Sequence, residues 1–187
     1  MLATRLTLIC HAVTPLQKQG RFPDDESVAM DWQGAALSLA RRYKKPPRLL
    51  CGPEARARQT AGLFGYNAEV ETALRDADLG TWKGQDIGQL DSDELTAWTT
   101  DSASAPHGGE SVDQMCARVG QWLKFLETQP GHVVAVTHPF VIRAAMLYVM
   151  QFPISMFYLI DVEPLSSVEL RFNGRWRLRL AAESSVA

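Results

Sequence analysis

Three polar clusters in this sequence each follow a short apolar run. Arg5 to Cys10 leads into Cys10-His11-Ala12-Val13-Thr14, Arg48 to Cys51 into Cys51-Gly52-Pro53 and on to Arg56, and His132 to Thr137 into Thr137-His138-Pro139. Where strands alternate with helices, ligands bind beyond the carboxyl ends of the strands. Two imidazoles and a guanidinium brought to three such ends make an anion pocket, although each residue alone reads as an ordinary structural one. Competing chemistries lack their residues. A cysteine phosphatase needs C-x5-R, but the positions after Cys10, Cys51 and Cys116 hold Leu16, Ala57 and Trp122. Gly-x-Ser-x-Gly, a P-loop and GxGxxG are absent. His107-Gly108-Gly109 is similar to an oxyanion loop but has no nucleophile elbow to serve. No spacing looks like a metal-ligand set, so neither metal nor cofactor is expected.

The elements that must position these residues are legible in the pattern. Arg5 to Cys10, Arg48 to Cys51 and His132 to Thr137 read as short buried strands. Gly20–Glu26 is a loop. Ser27 or Asp25 can cap a helix to about Arg42, with Met30, Ala35 and Leu39 on its inner face. Arg41, Arg42, Lys44 and Lys45 suit a helix C-terminus, and Pro46 and Pro47 stop it. A further helix runs from about Glu54 to Phe64. From Asp76 to Pro106 the chain is irregular, with a short helix near Gln89 to Trp98 and a loop over Thr99–Gly109. Ser111 and Gln114 form a capping box. Behind it Val112, Met115, Cys116, Val119, Trp122, Leu123 and Leu126 mark the clearest amphipathic helix, which makes Cys116 a core residue. Pro139 to Met150 is a helix. The apolar run to Ile160 reads as a break at Pro153 and then a buried strand. Two last strands, about Ser166–Phe172 and Arg175–Leu180, are joined at Asn173-Gly174, a two-residue hairpin signal. The alternation predicts an α/β three-layer sandwich, a mainly parallel sheet with helices on both faces, in one domain over residues 1–187.

Bulk properties agree. The chain has 187 residues, 46% hydrophobic and 21% charged, with a net charge of -2. That balance gives no reason to expect nucleic acid or an anionic membrane. Three cysteines without a CxxC pair fit a reducing, cytoplasmic setting. Arg5 directly precedes an apolar stretch too short for a signal peptide, and no run is long enough to span a bilayer.

Taken together, the motifs resemble those of branch one of the histidine phosphatase superfamily, the phosphoglycerate-mutase-like and α-ribazole-phosphatase-like proteins. That family's Arg-His-Gly-x-Thr stands here as Cys10-His11-Ala12-Val13-Thr14. Its Ser-x-Pro-x-x-Arg-Ala-x-Gln-Thr-Ala is closely matched from Cys51 through Arg56 to Ala61. Its acid before Gly-x-Trp-x-Gly is Asp76 ahead of Gly80-Thr81-Trp82-Lys83-Gly84. Gly109-Glu110-Ser111 is similar to its Gly-Glu-Ser, and Thr137-His138-Pro139-Phe140-Val141-Ile142-Arg143 to its last motif.

The resemblance implies a phosphoglycerate-mutase-like fold and a phosphomonoester hydrolase. His11 would attack phosphorus and form a phosphohistidine. Arg56, whose planar fork pairs bidentately with phosphate, would hold the phosphoryl oxygens with His138 and Thr14. Asp76 would protonate the leaving oxygen and then activate water. The implied partner is a small phosphorylated molecule, without nucleic acid or membrane, and a homodimer is left open. Four pocket positions depart from the family: Cys10 replaces a phosphate-binding arginine, Ala12 a glycine, Asp76 the longer glutamate, and Pro139 a glycine whose N–H faces the anion. Each removes or displaces a phosphate-stabilising group, and one such donor is worth roughly 10²–10³ in rate. Two readings follow: a phosphatase of low or altered activity, or a non-catalytic relative kept for phospho-ligand binding or protein assembly.

Overall fold

The computed structural model describes residues 3–29, 47–65 and 67–180. Its centre is a six-stranded sheet built from β1 (Thr4–Cys10), β2 (Arg48–Cys51), β3 (Glu69–Val70), β4 (Gly131–Thr137), β5 (Ser167–Phe172) and β6 (Trp176–Arg179), in the order β3-β2-β4-β1-β5-β6. The β1–β4, β2–β4 and β2–β3 pairs are parallel, whereas β1–β5 and β5–β6 are antiparallel. The sheet is thus mixed, with a parallel half that carries the polar clusters.

Side-chain alternation splits the core in two. Leu6, Leu8, Cys10, Leu50, Val133, Ala135 and Leu170 face one side. They pack there with α4 (Val112–Leu126) and α5 (Pro139–Met150). Ile9, Leu49, Cys51, Val134 and Val136 face the other, against Ala57 and Ala61 of α2 (Ala55–Gly62) and Phe64. This is the α/β sandwich that the period-two strand pattern requires. The Ser111–Gln114 capping box is present, both bonds made. Cys116 packs half-buried on the core. A four-residue α1 (Pro15–Lys18) and an α3 (Ser92–Thr100) complete the α-helices among the described residues. No helix among the described residues is long and apolar enough to cross a membrane.

Two expectations need correcting. Ile154–Leu159 is a 3-10 helix, not a strand; Phe157 is buried while Leu159 is exposed. A short apolar run cannot be assigned by hydrophobicity alone, and the aromatic neighbours Phe140 and Trp98 draw in Phe157 and Tyr158 at this point. The hairpin connection holds three residues between the Phe172–Trp176 pair, with Gly174 left-handed (φ 77°), rather than two. The helix expected from Asp25 or Ser27 to about Arg42 falls largely on residues 30–46, outside the described residues. Asp25 itself does cap a helix, but it is α2: its Oδ1 accepts from Ala55 N at 2.7 Å.

The irregular stretch before α4 is pinned by two devices. Phe22, Trp82, Trp98, His107, Phe140 and Tyr158 form a chain of mostly edge-to-face ring contacts. Glu110 receives Arg118 in a two-point fork (2.9 and 2.8 Å) and Arg75 at 2.9 Å. Arg118 also donates to the carbonyls of Ala73 and Arg75. The Gly109-Glu110-Ser111 motif therefore acts structurally, by fixing the segment that presents Asp76.

Candidate active site

The local bonding explains why the strand ends converge. His11 N donates to Thr137 O at 2.9 Å, and Thr137 Oγ1 to Leu74 O at 2.8 Å, which ties the ends of β1 and β4 to the segment carrying Asp76. Ala12 N donates to Thr60 Oγ1, which in turn donates to Arg56 O, so Thr60 locks α2 to the loop bearing His11. Gln59 holds the 20–29 loop by accepting from Val28 N and donating to Ser27 Oγ. Leu165, left-handed at φ 60°, directs its N–H toward the carbonyls of Cys10 and His11.

The structure brings all four residues expected at the centre together. The His11 and His138 rings lie 5.1 Å apart, Arg56 Nη2 donates to Asp76 Oδ2 at 2.6 Å, and His138 Nδ1 is 3.3 Å from the same oxygen. Relative exposures of 1%, 2%, 8% and 0% for His11, Arg56, Asp76 and His138 make this an interior site. His11 Nδ1 lies 2.7 Å from Ala12 O; that acceptor requires the proton on Nδ1 and leaves the Nε2 lone pair free. Burial, reinforced by His138, pushes the His11 pKa down to about 3, so the ring is neutral over the physiological range. Burial alone would raise the pKa of Asp76, but His138, Arg56 and His11 outweigh it and hold the carboxyl below its usual range. Arg56 Nε and Nη1 have no hydrogen-bond partner among the described residues.

Two carboxylates that the sequence did not single out enter this centre. Glu54 Oε2 pairs with His138 Nε2 at 2.7 Å, and its Oε1 accepts from Asp76 N at 2.9 Å. Glu26 Oε2 lies 3.8 Å from Arg56 Nη1. Both occupy unspecified positions, Glu54 within the second motif and Glu26 in a loop. An acid two residues before the arginine was the available signal. Among the described residues, no group of three or more His, Cys, Asp or Glu is placed to hold a metal ion.

The departures from the family pattern resolve individually. Thr14 is buried, caps α1 by accepting from Gln17 N at 3.2 Å, and its hydroxyl helps hold Glu26 ionised. Ala12 does not take a left-handed φ, so its Cβ strains nothing; its methyl packs with Val28, Leu63 and Leu165. Pro139 is the first residue of α5, where a missing N–H costs the helix nothing. Cys10 points into the core, and burial, with Asp76 and Glu163, pushes its thiol up to about 12. These surroundings hold Cys10 as a neutral, buried thiol. Thiol labelling of the native protein at neutral pH is expected to modify half-buried Cys116 first and to spare Cys10. Early labelling of Cys10 would show that the β1 end opens.

Comparison with known proteins bears on the family and the fold. The profile of the histidine phosphatase superfamily (branch 1) matches residues 6–183. Glucosyl-3-phosphoglycerate phosphatase of Mycobacterium tuberculosis is 31% identical over 129 residues, 63% of this chain and 58% of that relative; the match thus spans little more than half of the relative's length. The structure of mycobacterial glucosyl-3-phosphoglycerate phosphatase with VO3 superposes with a TM-score of 0.81 at 27% identity, covering 94% of this chain and 97% of the other. A phosphoserine phosphatase from Entamoeba histolytica, at 20% identity and a TM-score of 0.84 over 94% of each chain, shares the fold. With the motifs in order along the chain and the family profile matched over residues 6–183, the chain belongs to branch 1 of the histidine phosphatase superfamily.

Proposed function

We propose that the chain is a phosphomonoesterase acting on a small phosphorylated molecule through a phosphohistidine at His11. The observation that carries this reading is the His11 ring, neutral and with Nδ1 held by Ala12 O, so that Nε2 is the nucleophile. Arg56 supports it, since its Nε and Nη1 are buried donors that make no hydrogen bond among the described residues and suit phosphoryl oxygens. In the reaction Nε2 bonds to phosphorus as the bond to the leaving oxygen breaks. The phosphoryl group draws Arg56 from Asp76 and brings its own negative charge beside it, so the carboxyl pKa rises; the carboxyl takes up a proton from solvent and gives it to the leaving oxygen. The resulting carboxylate then takes a proton from water, which attacks the phosphohistidine and releases inorganic phosphate and free His11.

A second reading, a non-catalytic relative that binds a phospho-ligand or partner, is favoured by one observation: Arg56 and His138 are both engaged by internal carboxylates. A phosphatase screen separates the two. Wild type is expected to hydrolyse an aryl phosphate or a phosphorylated metabolite, and His11→Ala to lose all hydrolysis above background. Wild-type protein inert toward every phosphomonoester, or a His11→Ala variant as active as wild type, would sink the catalytic reading.

A further inference from the structure

Glu54 is the N-cap residue of α2, yet its side chain caps nothing there. Asp25 takes that task on Ala55 N, and the Glu54 carboxylate turns across to His138 Nε2 and Asp76 N instead. The chain makes room for this contact. Gly52 lies beneath it, and a Cβ at that position would stand 2.9 Å from both Glu54 Oε2 and His138 Nε2 and 2.8 Å from Leu74 O. Burial would raise the Glu54 pKa, but the hydrogen bond and charge of His138 with the N–H of Asp76 hold it low, so it faces the site as an anion. Arg56, 2% exposed, meanwhile keeps Nε and Nη1 free of hydrogen bonds among the described residues in the same centre.

We propose that Glu54 is an internal competitor for the phosphoryl group: its carboxylate occupies the His138 donor that a phosphate oxygen needs, and a phosphorylated ligand binds by displacing it. The inference rests on the reading of His11, Arg56 and His138 as a phosphate site. It makes Glu54 a specificity-determining residue. Inorganic phosphate offers only phosphoryl contacts and displaces Glu54 poorly. A monoester whose organic part adds contacts can spend that binding energy on the displacement. The site thereby disfavours its own product, and substrates with a substantial leaving group are the class it selects.

The test is calorimetric titration of the full chain with inorganic phosphate at neutral pH, in wild type and Glu54→Gln. The amide keeps the shape but removes the charge that holds His138 and repels phosphate. Phosphate affinity is expected to rise roughly tenfold, the equivalent of about 1.4 kcal/mol. A side chain needed only for structure would leave affinity unchanged or weaken it. Wild-type binding with no gain in Glu54→Gln overturns the competitor role and leaves the phosphate site standing. Absence of binding in both proteins at tens of millimolar phosphate overturns the phosphate site itself. If Glu54→Gln does not fold, Glu54→Ala carries the same expectation and the same outcomes.

Discussion

Replacing Arg56 by methionine is expected to destabilise the protein by about 3–5 kcal/mol, because it leaves a buried anion without its partner. Arg56 is 2% exposed and lies 2.6 Å from buried Asp76 and 3.8 Å from half-buried Glu26, and its loss leaves the Asp76 carboxylate with the His138 ring, 3.3 Å away, as its nearest remaining charged partner. The pair as a whole contributes far less than that figure, since burying two charges offsets most of their attraction. The double variant Arg56→Met with Asp76→Asn is therefore expected to regain part of the loss, as a neutral amide tolerates the site better than an unpaired carboxylate. Urea unfolding at neutral pH reads both effects. A single variant that loses less than about 1 kcal/mol, or a double no more stable than the single, would mean that water reaches Asp76 and shares its charge.

The second large effect is a limb in the pH dependence of stability to which His11 contributes, together with His107 and His132, which burial also holds below the ordinary value. In the unfolded chain the His11 ring takes a proton near pH 6.5, whereas in the folded protein burial and His138 delay protonation to about 3. Between those values the unfolded state binds more protons, so stability is complete above pH 6.5 and falls as the pH is lowered toward 3. The limiting slope is about 1.4 kcal/mol per pH unit, or roughly 2 kcal/mol between pH 6.5 and pH 5. The carboxyls of Asp76, Glu54 and Glu26 are held below their ordinary values, so their contributions are lost only at more acidic pH. His11→Ala, followed by urea unfolding at several pH values, should flatten the upper part of the curve. Parallel curves for the two proteins would show that His11 is as readily protonated folded as unfolded.

How much of this was readable beforehand depended on the kind of interaction that decides each feature. β1, β2, β4 and α5 follow from local pattern: apolar runs, a proline at the first helical position, and a polar residue after each strand. The capping box at Ser111 is likewise local. The 3-10 helix at Ile154–Leu159 was not legible because its aromatic partners lie far away in sequence, at Trp98 and Phe140. β3 escaped because Glu69 and Val70 are both exposed and give no burial pattern. At the site, residue types at the strand ends pointed to His11, Arg56 and His138, and the motif resemblance added Asp76. The same types could not show that Glu54 turns away from its own helix, since Asp25, from a loop 30 residues earlier, takes over that helix end. Nor could they show that Cys10 faces the core, which fixes its chemistry more firmly than the arginine it replaces.

The sheet order also constrains how the chain acquires its structure. β1 is made first, yet both of its neighbours come late: Thr4 stands opposite Gly131 on one side and Phe172 on the other. During synthesis the central strand therefore waits with both hydrogen-bonding edges unpaired until β4, and then β5, has left the ribosome. Pairings at such long sequence separation form slowly, and an unpaired apolar strand invites association with other chains meanwhile. Vulnerability to aggregation should thus be concentrated before the final hairpin emerges, and a nascent chain halted ahead of β5 should depend on chaperones far more than one released with β5 and β6 in place.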